Sequence, residues 1–250
     1  MPFFRKKYSI AESGLLQGMS YIHSHLLYRV DDGMKTERET FAALDCLEEQ
    51  GVRGIYLTPH VMENFPENNP KSLKRHFDNL INGYAGNIDL RLAAEYMLDG
   101  SFDSHLENSK NKPLAIADDH LLVETSYLNP PLNFHQTIQK IKKKGYRIIL
   151  AHPERYLYMD KNDYRKLKAD GFLFFQLNLL SPTGYYGRQV QENAEYLLNN
   201  DFYTFTGTDI HSLESHRQAF NIKSLTAKLI DRINVLIENN RQLFQLKIEN

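Results

Sequence analysis

Short β-rich runs alternate along the chain with segments whose apolar positions recur every three to four residues. That alternation predicts βα units and a parallel sheet. The strand runs are a weak one ending near His23, then Gly54–Pro59, Ile88–Ala94, Leu121–Thr125, Arg147–Ala151, Phe172–Leu177 and Tyr203–Thr206. Helical periodicity covers Thr36–Gln50, Pro70–Tyr84, Asn133–Lys144, Lys161–Ala169 and Arg188–Asn199, with Gly51, Gly145 and Gly171 at expected stops. A last amphipathic stretch, Ser224–Lys247, carries Leu225, Leu229, Ile233, Leu236, Ile237 and Leu243 and reads as a packed helix. No linker or low-complexity tract interrupts the series. The expectation is one domain over 1–250, with an N-terminal extension (1–17) and a C-terminal helix within 221–250.

Each strand run ends on polar chemistry. The ends read His23-Ser24-His25, Thr58-Pro59-His60, Ala93-Ala94-Glu95, Val123-Glu124, Ala151-His152-Pro153-Glu154-Arg155, Gln176-Leu177-Asn178 and Gly207-Thr208-Asp209-Ile210-His211. In a parallel barrel all carboxyl ends meet on one face, so these groups converge on one pocket. Five histidines (His23, His25, His60, His152, His211) and four carboxylates (Asp32, Glu95, Glu124, Asp209) stand there. Imidazoles and carboxylates without a thiolate suit Mn, Fe or Zn, and they exceed one ion's needs; two or three ions sharing a bridging carboxylate would fit. Burying so many charges without cations would cost several kcal/mol each. Ser24 and Ile210 are expected to turn away from the pocket. His76, His105, His120, His135 and His216 read as solvated.

Composition narrows the picture. Apolar residues make up 42% and charged residues 24% of the 250, which excludes disordered and fibrous classes. A net charge of −1 supplies no global field for nucleic acid. Apolar runs such as Ile148–Ala151 and Phe172–Phe175 fall far short of the ~20 residues that span a bilayer. Met1–Lys7 does not read as a signal peptide, and the single Cys46 allows no internal disulfide, so a soluble cytoplasmic protein is expected. Thiol-based phosphate chemistry is excluded: the stretch from Cys46 to Arg53 is one residue too long for a phosphate-enclosing Cys–Arg loop and lacks its glycines. Cys46 reads instead as a small buried hydrophobe between Leu44 and Leu47.

Ile22-His23-Ser24-His25, Val30-Asp31-Asp32-Gly33, Thr58-Pro59-His60, Ala151-His152-Pro153-Glu154-Arg155 and Thr208-Asp209-Ile210-His211 together resemble the polymerase and histidinol phosphatase (PHP) superfamily. The resemblance is closest to its bacterial tyrosine-protein phosphatases of capsule and exopolysaccharide operons and covers roughly residues 20–220. It implies a distorted (β/α)7 barrel with its metal site at the carboxyl ends of the strands. It also implies three divalent ions, usually manganese, with iron or zinc as alternatives. Their ligands would be His23, His25, Asp32, His60, Glu95, Glu124, His152, Asp209 and His211.

By the same resemblance, a metal-activated hydroxide hydrolyses phosphotyrosine, with Arg155 and Arg217 on the phosphate oxygens. The substrate implied is the tail of a membrane tyrosine kinase that controls polysaccharide synthesis or export. The alternatives are a small-molecule phosphomonoesterase of histidinol-phosphatase type and a non-catalytic phosphotyrosine-binding regulator. Tyr127, Tyr156, Tyr158, Tyr185 and Tyr186 follow strand ends and either wall a phenyl slot or pack as ordinary tyrosines. Glu154 is read as an ion-pair or supporting carboxylate. Relatives often carry Asp where this chain has Tyr21, and Gly-x-Glu where it has Ala93-Ala94-Glu95, so support for the first histidines must come from elsewhere.

Overall fold

The computed structural model describes residues 6–245. The first five residues of the expected extension, and the end of the last expected helix from 246 on, lie outside the described residues. The strands are β1 (Ser20–Tyr21), β2 (Gly54–Leu57), β3 (His60–Val61), β4 (Asp89–Leu92), β5 (Glu95–Met97), β6 (His120–Glu124), β7 (Arg147–Ala151), β8 (Leu173–Asn178) and β9 (Tyr203–Gly207). The helices are α1 (Ile10–Ser13), α2 (Glu37–Glu49), α3 (Pro70–Gly83), α4 (Phe102–Glu107), α5 (Phe134–Lys143), α6 (Lys161–Ala169), α7 (Arg188–Asn199), α8 (Leu213–Phe220) and α9 (Ala227–Gln245). Three of them, α1, α4 and α8, are not in the sequence reading; each is too short to display a full apolar stripe.

Every strand pairing between named strands is parallel, in two sheets ordered β1-β2-β4 and β3-β5-β6-β7-β8-β9. The strand expected over Gly54–Pro59 is β2 and the one over Ile88–Ala94 is β4; the short β3 and β5 lie just past the expected ends, each after a break, and belong to the second sheet. Pro59, which has no N–H to donate, marks the first break. Hydrogen bonds carry the ladder across it: Thr58 N to Ser24 O (2.8 Å), Ala93 N to Leu57 O (2.9 Å) and Glu95 N to Pro59 O (3.1 Å). The seven expected strands therefore lie in the expected order.

The ring of strands meets itself where the last strand approaches the first. Near the carboxyl ends Ser24 pairs with Ile210, and His25 N donates to Ile210 O at 2.9 Å. At the amino ends a side chain fills the seam. Asn240 of α9 donates to Ser20 O (2.9 Å) and Thr206 O (2.6 Å) and accepts from Thr206 N (3.1 Å). The expected distorted barrel thus consists of two sheets joined by single backbone contacts and one amide, not one continuous sheet.

Side chains alternate across the strands as period two requires. Leu121, Val123, Ile148 and Leu150 join the large outer core under the helices, while Leu122, Ile149 and Ala151 join Ile22, Tyr56 and Phe205 in a second cluster, closed off by Leu243 and Phe244 of α9. Reciprocal capping boxes start α2 (Thr36 with Glu39), α3 (Asn69 with Ser72) and α6 (Asp160 with Asp163). The described part of the extension is anchored. Tyr8 pairs with Leu225, and the Arg241 guanidinium donates to Gln17 O (2.9 Å) and Gly18 O (2.8 Å).

Candidate metal centre

The strand ends converge on Glu95, the first residue of β5, which is fully buried. Four imidazoles point at its carboxylate. His23 Nε2, His60 Nδ1 and His25 Nε2 stand 3.1, 3.2 and 3.3 Å from Oε2, and His152 Nε2 stands 3.2 Å from Oε1. Asp209 Oδ1 adds a second acid, 3.3 Å from His23 Nε2 and 3.2 Å from His25 Nε2. Glu124 Oε1 lies 3.0 Å from His60 Nδ1. On the outer side Asp32 Oδ1 faces His211 Nε2 at 3.3 Å and His60 Nε2 at 3.5 Å.

Backbone geometry contributes to this convergence. His152 (φ 33°) and Asp209 (φ 52°) occupy the left-handed region that side chains with a Cβ avoid. Both sit at the bend where a strand ends and the side chain must turn inward, a common location for stored strain at functional sites. Ser24 and Ile210 face away as expected: Ser24 Oγ donates to Tyr56 O (2.9 Å), and Ile210 is in the core.

Ring orientation is set from behind. His25 Nδ1 meets Asp31 Oδ2 at 2.8 Å, and His23 Nδ1 meets Gln176 Oε1 at 2.9 Å. Gln176 uses its own N–H on Leu177 O, so its oxygen faces His23. Both Nδ1 atoms must donate, so in the neutral rings both Nε2 atoms carry lone pairs. Those lone pairs face each other at 3.2 Å and face carboxylate oxygens as well. Such an arrangement is repulsive unless protons or cations intervene.

Both oxygens of Glu95 and Oε1 of Glu124 are buried without a hydrogen-bond partner. Buried carboxylate oxygens left bare are costly, and a divalent ion removes that cost. Three groups have donor atoms all within 4.8 Å of one another: His25, Asp32, His60 and His211; His23, His25, Glu95 and Asp209; and His60, Glu95 and Glu124. His25, His60 and Glu95 each belong to two groups. The donor set fits a multi-ion site with shared ligands.

Protonation follows the same geometry. Burial pushes the His23 and His25 rings down, but Glu95 and Asp209 outweigh it for His23, and Asp31 behind the ring, with Asp209 and Glu95, outweighs it for His25: both rise, His25 well above the ordinary value. Burial and His25 push His60 down, yet Glu124 and Glu95 hold it up at about 10. Glu95 and Asp209 resist ionisation through burial, but the surrounding imidazoles keep both well below the usual carboxylate range. The hydrogen bond to His211 lowers Asp32.

Eight of the nine sequence-derived ligands fall in these groups, and His152 reaches Glu95 beside them. Arg155 reaches the same place, its Nη1 donating to Asp209 Oδ2 at 2.7 Å. Arg217 does not. It is exposed on α8, and its Nη2 lies 3.7 Å from Cys46 Sγ, because the neighbouring His216 takes the buried side of the helix. His216 therefore corrects a second expectation: it is buried, lines the cleft and is pushed down to about 3 by burial. His120 is buried as well, against Phe174 and Phe205.

Among the tyrosines, Tyr127, Tyr185 and Tyr186 line a cleft of about 340 Å³ together with Asp32, His60, Glu95, Arg155, Asp209 and His211. Tyr156 is instead a core residue, and Tyr158 bonds to Thr125 Oγ1 at 2.6 Å. A larger hollow, about 490 Å³ beside Phe134 and Met159, shares no lining residue with the cleft.

Glu154 makes no ion pair among the described residues. Its buried carboxylate accepts from Ser181 Oγ (2.7 Å), Asn178 N (2.9 Å) and Tyr203 OH (2.8 Å), and burial raises its pKa. It pins the loop after β8.

Sequence reasoning missed Asp31 and Gln176 as supports. Asp31 is the other member of the quoted Asp31-Asp32 pair, and Gln176 is an amide set in an otherwise apolar strand run; each was a readable signal. Together they supply what Tyr21 does not. Gly33 lets the Asp31 turn press against the site: a Cβ there would sit 2.2 Å from His25 O.

Fold and donor set define a class: parallel α/β sheets whose carboxyl face carries a His/carboxylate donor set suited to divalent cations. The chain belongs to the capsular polysaccharide synthesis CpsB/CapC family, which matches residues 19–242. It is 28% identical over 218 residues to the tyrosine-protein phosphatase CpsB of Streptococcus pneumoniae, covering 80% of this chain and 88% of that one. It is 25% identical over 202 residues to the tyrosine-protein phosphatase YwqE of Bacillus subtilis, covering 78% of each.

Among solved structures, the fold matches a chain from the crystal structures of YwqE from B. subtilis and CpsB from S. pneumoniae, described as metal-dependent tyrosine phosphatases. The TM-score is 0.71 at 22% identity, over 92% of this chain and 96% of that one. A phosphotriesterase homology protein from Escherichia coli matches with TM-score 0.53 at 13% identity, over 92% and 99% of the two chains. These structural likenesses concern the fold.

Proposed function

We propose that this protein is a metal-dependent phosphatase that hydrolyses phosphotyrosine in proteins, and that His23, His25, Asp32, His60, Glu95, Glu124, His152, Asp209 and His211 hold its ions. The observation that carries the reading is Glu95, a buried carboxylate with no hydrogen-bond partner facing four imidazoles, with Arg155 beside it on Asp209. Membership of the CpsB/CapC family and the names of the phosphatase relatives support it. Three ions, manganese by preference, suit nine ligands with three shared members.

Bound divalent ions would supply a water-derived nucleophile at neutral pH and neutralise phosphate charge. The chain's own residues do the rest. Asp31 and Gln176 keep the protons of His25 and His23 on Nδ1, leaving each Nε2 free to ligate. Arg155 offers its remaining N–H groups to the phosphate oxygens and stabilises charge there as the ester bond breaks. A tyrosine leaving group, with an intrinsic pKa of ~10, needs less protonation than an alkyl oxygen, so no dedicated acid is required. The cleft is wide-mouthed, with Tyr127 and Tyr185 more than one-third exposed, which suits a flexible polypeptide tail better than a folded surface.

No helix among the described residues is long and apolar enough to cross a membrane. A cytoplasmic enzyme acting on the tail of a membrane tyrosine kinase in polysaccharide synthesis is the physiological setting we propose. The deciding experiment couples elemental analysis of purified protein to phosphate release from a phosphotyrosyl peptide, before and after chelation, with histidinol phosphate in parallel. Bound metal and chelator-sensitive release from the peptide are expected. Faster turnover of histidinol phosphate, or release that survives complete metal removal, would overturn the assignment.

A further inference from the structure

Arg155 is held by more than its ion pair. Its guanidinium carbon lies 4.4 Å from the ring centroid of Tyr127 and 4.3 Å from that of Tyr186. The two rings come from different parts of the fold, one following β6 and the other in the loop between β8 and α7. Each is fixed independently. Tyr127 O accepts from Leu157 N (2.9 Å), and its ring packs 5.8 Å from His152 and 6.2 Å from Tyr156. Tyr186 OH accepts from Asn178 Nδ2 (3.2 Å), which also lies 3.4 Å from Asp209 Oδ2, and its ring meets Tyr185 edge-on at 5.0 Å.

An unrestrained arginine samples many rotamers, and directing it at a phosphate costs that freedom. Stacking its planar cation against two aromatic faces removes the freedom beforehand and weakens competition from water. One edge of the guanidinium is taken by Asp209; the rest stays available toward the cleft.

We propose that Tyr127 and Tyr186 are positioning residues that clamp Arg155 in its phosphate-binding orientation. This rests on the phosphatase reading for its purpose but not for its test. The clamp acts through the arginine, so it must disappear when the arginine does. A lysine at this position would keep the charge but lose the plane that the rings grip, and so would be a poor replacement.

The test measures binding of inorganic phosphate by calorimetry to the full-length, manganese-loaded chain. The variants are Tyr127→Leu, Tyr186→Leu, Tyr186→Phe and Arg155→Ala, with each leucine change also combined with Arg155→Ala. Metal content and Tm are measured on each. Each leucine variant should bind phosphate about tenfold more weakly with metal content unchanged, the scale of a desolvated cation–π contact. Tyr186→Phe should stay within about threefold of the parent because it keeps the ring. In the Arg155→Ala background the leucine changes should have no further effect, the signature of full coupling. Equal losses with and without Arg155, or no loss in either leucine variant, would overturn the clamp. Turnover is measured separately: a parent chain that binds phosphate as described yet hydrolyses no phosphomonoester sinks the phosphatase reading and leaves the clamp standing.

Discussion

The nitrogens that the proposed metal site would use are decided one residue behind it. A histidine ligates with whichever nitrogen its other nitrogen's partner leaves free, and Gln176 and Asp31 make that choice for His23 and His25. Gln176→Leu removes the acceptor and keeps the bulk, so His23 is free to adopt the other tautomer or rotate. Metal affinity should fall by about 10- to 100-fold, as supporting-residue changes do, with the fold intact. Competition against a graded series of chelators measures it; unchanged affinity would mean that His23 needs no orienting partner. Cys46 marks the opposite case. It is buried on α2 and touches Arg217, neither of which lines the cleft. Cys46→Ser should therefore leave kcat and KM on a phosphotyrosyl peptide within about twofold, at a stability cost of about 1 kcal/mol for a buried hydroxyl. A large loss of kcat in well-folded protein would return the thiol to the chemistry.

At the scale of elements, what could be read in advance is what local chemistry encodes. Short β-rich runs located seven of the nine described strands, and the other two, β3 and β5, lie just past the ends of two of those runs. Capped amphipathic runs located the longer helices to within about three residues, and the polar strand ends located the site. Contacts between distant segments left no such trace. The break at Pro59 was visible as a residue but not as a handover between sheets. The place of Arg217 depended on which face of α8 packs inward, and that face is set by His216 and Phe220 meeting the body of the protein. The barrel seam is the clearest example. Nothing in the run of α9 marks Asn240 as different from its neighbour Asn239, yet Asn240 alone completes the ladder between β1 and β9. Asn240→Leu leaves a buried N–H and two carbonyls without partners. Each such group costs roughly 1–3 kcal/mol, so a loss of about 3 kcal/mol in urea unfolding is expected. A loss under about 1 kcal/mol would mean that the seam closes without it.

For the molecule as a whole, the proposed metal site sets protons and divalent ions in competition for one set of lone pairs, and that competition would govern how stability depends on pH. In the metal-free protein His23, His25 and His60 have raised pKa values, His60 at about 10. A group raised above its unfolded value contributes stability that is complete below the unfolded pKa, ~6.5 for histidine, and is lost as pH climbs through the folded value. Glu95, Asp209 and Asp32 are lowered, so their contribution is present above the unfolded carboxylate values near ~4 and disappears only in stronger acid. His216, pushed down to about 3, acts against the three raised histidines, as do the burial-lowered His76, His105 and His120: each favours the folded state as pH rises toward ~6.5 and has no further effect above that. Above pH ~6.5 the three raised imidazoles set the trend: Tyr21, Tyr96 and Tyr127, raised by burial, add to it only as pH nears ~10, and the burial-lowered Lys168 opposes it, so the chelated protein should lose Tm between pH 7 and pH 10. Adding manganese replaces the protons with cations that bind more tightly as the imidazoles deprotonate, so the loaded protein should hold or gain Tm over the same interval. Thermal scans of chelated and loaded protein at matched ionic strength would show two curves diverging with pH. Parallel curves would mean that the imidazoles and acids around Glu95 do not bind the metal.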